Sequence, residues 1–205
     1  MNKKFLRLVK LVLGLFLCVS APGTALGEEF YKGKTIRIFV GFSPGGGYDT
    51  YTRVAARHMS RFIPGNPTFV VQNMIGAGSR VTAHYIYNKA KPDGLTVGVW
   101  NSGLVLRQAL GATSVKFEGD KFGWIGAPGG RSFPTCGIMA FTGHKTLKDV
   151  LNSKKPIKMG GTPGTPTHDL PRILNLTLGT KFDVITGYSG ISTIRMFMQM
   201  VEIPE

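Results

Sequence analysis

Hydrophobic residues along the chain follow two patterns, short apolar runs and longer segments with helical spacing. Residues 35–42, 68–71 and 95–100 are short and rich in β-branched and aromatic side chains, so each predicts a strand. Between them, apolar residues recur every three or four positions in 49–62, and 79–88 predicts a second helix capped by Ser79. Strands separated by helices predict parallel crossovers and an α/β fold with a sheet covered on both faces.

The same alternation returns in the second half of the chain. The predicted strands are 137–141, 157–160 and 182–186, and the predicted helices are 147–152, 168–178 and 193–200, the first of them capped by Thr146. The stretch 111–133 is irregular and glycine-rich, which favours a connection between domains. We therefore expect two α/β lobes, 28–133 and 134–205.

The first 27 residues have the organisation of an export signal. A basic start precedes the apolar run 11–19, and small, turn-prone residues end at Ala25-Leu26-Gly27. This order predicts a signal peptide cleaved after Gly27 and a periplasmic protein. A retained membrane anchor fits this segment less well, because the apolar run is too short to span a bilayer comfortably. A lipoprotein modified at Cys18 is less consistent because bulky Phe16 and Leu17 precede it.

Charge and cysteine content narrow the functional classes. Removal of the four basic residues of the signal segment lowers the formal net charge from +14 to +10. Lysine and arginine are dispersed and no basic–aromatic motif occurs, so we expect a solvated basic surface and no nucleic-acid partner. The one remaining cysteine, Cys136, cannot form an internal disulfide, and its apolar neighbours predict a buried, inert thiol.

A glycine-rich turn, Phe42-Ser43-Pro44-Gly45-Gly46-Gly47-Tyr48-Asp49, joins the first strand to the first helix. In open parallel sheets ligands bind at such strand ends. Glycines allow the backbone to approach a ligand closely, and free N–H groups at a helix start favour an anion. No Walker or dinucleotide spacing is present. Asp49 is most simply a cap that fixes the loop.

The same turn is similar to the oxyanion loop of some esterases, which leaves an exported hydrolase as an alternative. That reading needs a G-x-S-x-G elbow, and Gly187-Tyr188-Ser189-Gly190-Ile191 lacks the last glycine. Ser189 is therefore predicted to be a turn residue.

A second turn, 160–168, again runs from a strand into a helix and carries hydroxyls at Thr162, Thr165 and Thr167. His168 at its end fits three roles: a ligand contact, a helix-start residue or a general base. The histidines share no metal-ligand spacing, so we predict neither a metal nor a cofactor.

At these motifs the chain resembles the periplasmic substrate-binding proteins of tripartite tricarboxylate transporters, the Bug receptors. The resemblance covers about residues 30–200. It rests on the order of several motifs, which are Ile36-Arg37-Ile38, Pro44-Gly45-Gly46-Gly47-Tyr48-Asp49, Val70-Val71-Gln72-Asn73, Gly76-Ala77-Gly78, Pro92-Asp93-Gly94, Thr167-His168 and Tyr188-Ser189-Gly190.

The resemblance implies a monomeric, non-enzymatic receptor with the type II Venus-flytrap fold of periplasmic binding proteins. Its two lobes would close over a small carboxylate, such as a tricarboxylate or dicarboxylate, and deliver it to membrane permease subunits. Backbone N–H groups, hydroxyls and waters would hold the ligand. The contact residues carried over are Phe42, Ser43, Gly45, Gly46, Gly47, Tyr48, Asp49, Thr50, Gly164, Thr165, Thr167, His168, Tyr188 and Ser189.

The chain departs from the family at several places. Asn73 is followed by Met74-Ile75, and Gly78 is followed by Ser79 where a second glycine is usual. The sequence also stops where family members continue, so we expect a fold incomplete at the C-terminus, from a frameshift or a truncated gene model. A non-functional product is the alternative that this departure leaves open.

Overall fold

The computed structural model describes residues 30–127 and 134–200. The predicted signal peptide and its cleavage site, part of the predicted connection 111–133, and residues 201–205 lie outside the described residues. We refer to 30–127 as the N-terminal part and to 134–200 as the C-terminal part. The predicted lobe boundaries remain a prediction.

The N-terminal part contains a three-stranded parallel sheet in the order β2-β1-β3. Ile38 in the central strand pairs with Val71 on one side and Val97 on the other. The central strand β1 is the most buried of the three, because helices cover the faces of a parallel sheet and its apolar residues pack against them. Its elements are β1 (Thr35–Val40), α1 (Gly47–Met59), β2 (Thr68–Asn73), α2 (Arg80–Asn88), β3 (Thr96–Val99) and α3 (Gly103–Ala109).

The C-terminal part repeats the same strand–helix alternation around a two-stranded parallel sheet, β4-β5. Its elements are α4 (Leu147–Leu151), β4 (Ile157–Gly160), α5 (Pro166–Leu178), β5 (Phe182–Ile185) and α6 (Ile191–Met200). The predicted cap of α4 is confirmed, because Thr146 and Asp149 form a reciprocal capping box.

Each part has its own hydrophobic cluster. Ala83, Leu104, Val115 and Phe117 are buried together in the N-terminal part. In the C-terminal part Val150, Ile157 and Phe182 are buried together, with Met159 and Leu174 packed against them. Two separate clusters are what two α/β lobes require.

Three predictions about local structure are wrong. Residues 134–139 form no strand, since they pair with neither β4 nor β5, and a short turn of 3-10 helix follows at Ala140–Thr142. Cys136 lies in this unpaired segment and is consequently exposed. Partial burial nevertheless raises the pKa of its thiol, which keeps it protonated and weakly reactive.

The third error concerns Ser79. It precedes α2 in a left-handed conformation, and its side chain makes no capping hydrogen bond. Its hydroxyl donates to the Gly78 carbonyl oxygen and accepts the N–H of Asn101 at 2.9 Å. This fully buried side chain therefore anchors the end of β3.

The remaining differences concern element ends. Helices α1, α5 and α6 each begin two residues earlier than predicted, and α3 is absent from the predictions. Within the described ranges, no helix has the length and apolar character needed to cross a membrane.

Candidate functional site between the two sheets

The glycine-rich turn after β1 is fixed by the carboxylate of Asp49, which is 3% exposed. Its Oδ2 atom accepts the Gly45 N–H and the Arg53 Nε–H, both at 2.9 Å. Its Oδ1 atom accepts from Asn73 Nδ2 at 2.9 Å. The same Asn73 amide donates to the Phe42 carbonyl oxygen at 2.8 Å. Asp49 thus fixes the loop, as predicted, but it does so from the first turn of α1 and is not the helix cap, which is Gly46.

These hydrogen bonds also decide the charge of Asp49. Burial by itself raises the pKa of the carboxyl group, but hydrogen bonds from Arg53, Gly45 and Asn73 outweigh it and hold the pKa below its usual value. The ionised carboxylate therefore persists in a buried position. Gly45 contributes to the loop in two ways. Its N–H donates to Asp49, and its positive φ of 73°, which glycine adopts easily, sets the course of the backbone.

The turn after β4 is fixed by hydroxyl groups. The Thr165 hydroxyl donates to the Thr162 carbonyl oxygen at 2.8 Å, and the Thr162 hydroxyl donates to the Tyr188 carbonyl oxygen at 3.0 Å. Thr167 Oγ1 accepts the Thr162 N–H at 3.1 Å and lies 2.7 Å from Thr165 Oγ1. Since Thr165 has already given its proton, Thr167 is the donor of that last bond. The hydroxyls therefore build the loop.

The two turns lie against each other across the boundary between the parts. Ser43 Oγ is 2.7 Å from Ser192 Oγ, and Asn101 Nδ2 donates to the Gly164 carbonyl oxygen at 2.9 Å. Gly190 sits so close to the first turn that a Cβ atom on it would lie 2.6 Å from Ser43 Oγ. A larger residue at this position would therefore displace the Ser43 side chain or separate the turns.

A cavity of about 360 Å³ opens between the parts beside these contacts. Its polar wall comes from the starts of helices and the ends of strands, and its apolar wall comes from α5, α6 and the segment 134–137. The lining residues are Phe42, Gly46, Gly47, Tyr48, Asn101, Pro134, Thr135, Cys136, Gly137, Lys158, Met159, Gly160, Thr162, Thr165, Pro166, Thr167, Leu170, Pro171, Leu174, Gly190, Ile191, Ile194 and Met198.

Three helices, α1, α5 and α6, begin at this cavity. Among the described residues, no acceptor is present for the N–H groups of Gly47, Tyr48, Thr167, Ile191 and Ser192. The first N–H groups of a helix have no intrahelical partner and lie at the positive end of its dipole. None of the lining residues in 30–127 and 134–200 is acidic, so this part of the cavity wall combines unsatisfied donors with a field that favours an anion.

Six of the fourteen residues carried over from the resemblance line the cavity. They are Phe42, Gly46, Gly47, Tyr48, Thr165 and Thr167. Phe42 and Tyr48 stack with ring centroids 4.5 Å apart, and burial raises the pKa of Tyr48, which keeps its hydroxyl neutral.

The other eight lie outside the lining. Ser43, Gly45, Asp49 and Gly164 make the loop and interface contacts given above, whereas Thr50 is exposed on α1. Tyr188 contacts Phe197, and the Ser189 hydroxyl is 2.9 Å from that of Thr193.

His168 is in the first turn of α5, where its Nδ1 lies 2.7 Å from Asp169 Oδ1. His168 thus occupies the helix-start position, it is not among the described lining residues, and its roles as ligand contact or general base stay predictions. Burial of Asp169 raises the pKa of its carboxyl group, but hydrogen bonds from His168 and Arg107 bring the pKa below its ordinary value.

Sequence reasoning missed several contributors. Asn101 follows β3, and the rule that ligands bind at strand ends could have found it. Ile191 and Ser192 follow the Gly190 turn at the corresponding place after β5. Arg107 and the apolar face of α5 carried no recognisable signal. In the described part of the chain no group of three or more histidine, cysteine or acidic side chains could hold a metal ion.

The chain is similar to known proteins in part of its sequence and in its fold. No protein-family model matches the sequence. Protein BugT of Bordetella pertussis (strain Tohama I) is 32% identical over 99 residues, which are 48% of this chain and 29% of BugT. Periplasmic binding protein BugD superposes with a TM-score of 0.57 at 19% identity, over 84% of this chain and 58% of BugD. A structure described as a periplasmic transporter superposes with a TM-score of 0.56 at 21% identity, over 78% of this chain and 54% of that structure's chain.

The predicted α/β fold of a periplasmic binding protein is thereby confirmed. The match to BugT, together with this fold, confirms the resemblance to the Bug family of substrate-binding proteins. The chain spans little more than half of the two solved structures, and its match to BugT spans less than a third of that protein.

Proposed function

We propose that the protein is a periplasmic solute receptor that binds a small carboxylate in the cavity between lobes 28–133 and 134–205. It passes this ligand to the membrane permease of a tripartite tricarboxylate transporter. The observation that carries the proposal is the convergence of three helix starts on a cavity whose described lining has no acidic side chain.

The donors at the helix starts suit a carboxylate. Gly47 and Tyr48 offer N–H groups from the N-terminal part, whereas Thr167 and Ile191 offer them from the C-terminal part. A hydrogen bond to a charged group contributes about 1.5–3 kcal/mol, and several donors together offset desolvation of the ligand. Because the donors come from both parts, a bound carboxylate stabilises the closed arrangement over an open one.

The residues outside the lining act on the cavity indirectly. Asp49 and Ser43 hold the first turn, and Gly164 accepts a hydrogen bond from Asn101 across the boundary. Waters bridging to short hydroxyls would let one cleft accept acids of different lengths. Export by the segment cleaved after Gly27 places the receptor in the periplasm, where it acts as a monomer without chemistry of its own.

The hydrolase alternative gains no support. The described neighbour of the Ser189 hydroxyl is Thr193, and neither residue contacts a histidine among the described hydrogen bonds. A nucleophilic serine needs a general base within hydrogen-bond distance.

The test removes one donor without disturbing the helix. Gly47 is the first residue of α1, where proline is tolerated, and the preceding Gly46 is extended, as proline requires. Gly47→Pro deletes the N–H, whereas Gly47→Ala retains it and places a Cβ where no atom lies within 4 Å.

Binding of a panel of mono-, di- and tricarboxylates is measured by calorimetry. We expect Gly47→Pro to weaken binding roughly 10- to 100-fold and Gly47→Ala to leave it nearly unchanged. If no carboxylate binds to the unmodified protein, or if both variants bind equally well, the proposal is wrong.

A further inference from the structure

We infer that the ligand is a monocarboxylate with an apolar body, and not a di- or tricarboxylate. This inference rests on the proposed carboxylate-binding function and specifies its substrate class. It follows from how polar and apolar groups are distributed along the two helices that wall the cavity.

The walls change character along the helix axes. On α5 the lining residues run from Thr167 through Leu170 to Leu174, and on α6 they run from Ile191 to Met198. Spacings of three, four and seven residues place each set on one helix face. Seven residues advance about 10 Å along an α-helix, so each wall extends two turns beyond the donors.

The far end of the cavity is apolar. Leu174 and Met159 also pack against the buried cluster of the C-terminal part, and Ile194 lies against Gly160 of β4. The helix dipole acts within about one turn of the helix start, so it does not reach this end. A second carboxylate placed there would lose its hydration without gaining a donor.

Among the lining residues that the structure describes, Lys158 is the one with a charged side chain, and it is exposed. Its ammonium group can therefore remain hydrated while its aliphatic stem contributes to the wall. The helix starts hold the first carboxylate, and an exposed cation such as Lys158 forms only a weak, solvent-screened pair with a second one.

The experiment compares acids of equal length on the unmodified protein. Calorimetry with butanoate and hexanoate, and with the dicarboxylates succinate and adipate, separates the two classes, with citrate as the tricarboxylate and hexanamide as the uncharged control. We expect affinity to rise about fourfold per buried methylene from butanoate to hexanoate. Adipate is expected to bind at least tenfold more weakly than hexanoate, and hexanamide to bind weakest.

A matched pair of variants locates the apolar end. Met198 lines the cavity, whereas Met196 on the same helix lies outside the lining and is 48% exposed. Met198→Lys is expected to weaken hexanoate binding about tenfold and to improve adipate binding, and Met196→Lys is expected to change neither.

Adipate or citrate binding at least as tightly as hexanoate would overturn the inference but leave the carboxylate receptor intact. If adipate or citrate binds that tightly and the Lys158→Gln variant loses this tight binding, Lys158 holds the second carboxylate. Failure of every acid to bind would overturn both the inference and the proposed function.

Discussion

Arg107 and Asp169 form an ion pair across the boundary between the two parts, with Arg107 Nη2 at 2.6 Å from Asp169 Oδ2. Arg107 lies near the end of α3, and Asp169 is in the first turn of α5. Both side chains are about two-fifths exposed. Together with the Ser43–Ser192 and Asn101–Gly164 contacts, this pair joins two sheets whose hydrophobic clusters are separate.

The first prediction concerns the strength of this pair. A double-mutant cycle with Arg107→Gln and Asp169→Asn should give a coupling free energy of about 0.2–1 kcal/mol, because exposed ion pairs are screened by solvent. Urea unfolding at low and high salt measures the coupling, which should shrink as salt rises.

The control is the Lys121–Glu118 pair, which lies wholly within the N-terminal part. Substituting it should leave the separation of the two parts unchanged in small-angle scattering, whereas the Arg107 and Asp169 variants should increase that separation. An equal response to both pairs would contradict a role for Arg107 in joining the parts.

The second prediction concerns Gly190. Alanine at this position would place its Cβ 2.6 Å from Ser43 Oγ, so the Ser43 side chain must rotate away and lose its hydrogen bond to Ser192, or the two turns must separate. We expect a lower melting temperature in either case. Gly123→Ala is the control, because its added Cβ meets no atom within 4 Å. Equal melting temperatures for the two variants would refute the close approach.

The third prediction concerns Asp49. Its pKa is below the usual value in the folded protein, so its ionised form stabilises the fold above the usual carboxyl pKa of about 3.9. This contribution is lost as the pH falls through the lowered pKa. Asp49→Asn should lower the free energy of unfolding by about 1.5–3 kcal/mol at pH 7, and by less in acid.

Denaturant unfolding between pH 7 and pH 3 measures this difference. The interpretation fails if Asp49→Asn destabilises the protein equally at both ends of this range.

Local pattern was sufficient where a segment's structure depends on its own residues. The buried run at β1 is a property of consecutive residues. The Thr146–Asp149 capping box joins residues three positions apart. The early starts of α5 and α6 have a local reason as well, since Pro166 suits a first helical position and Gly190 precedes the other helix.

Pattern failed where pairing decides the outcome. Residues 137–141 have strand-like composition, but a strand exists only when a neighbour accepts its hydrogen bonds, and β4 pairs with β5. Exposure of Cys136 follows from this missing ladder. Ser79 looks like a cap, yet the Asn101 N–H, 22 positions away, occupies its hydroxyl.

The sequence by itself determined the alternating α/β fold and the two glycine-containing turns, because apolar periodicity and backbone freedom are properties of neighbouring residues. The tertiary structure alone decided which groups face the cavity. It turned Asp49 inward to hold a loop, joined Arg107 to Asp169, and aligned the apolar faces of α5 and α6 behind the helix starts. Those relationships join residues far apart in the chain, where only packing determines distance.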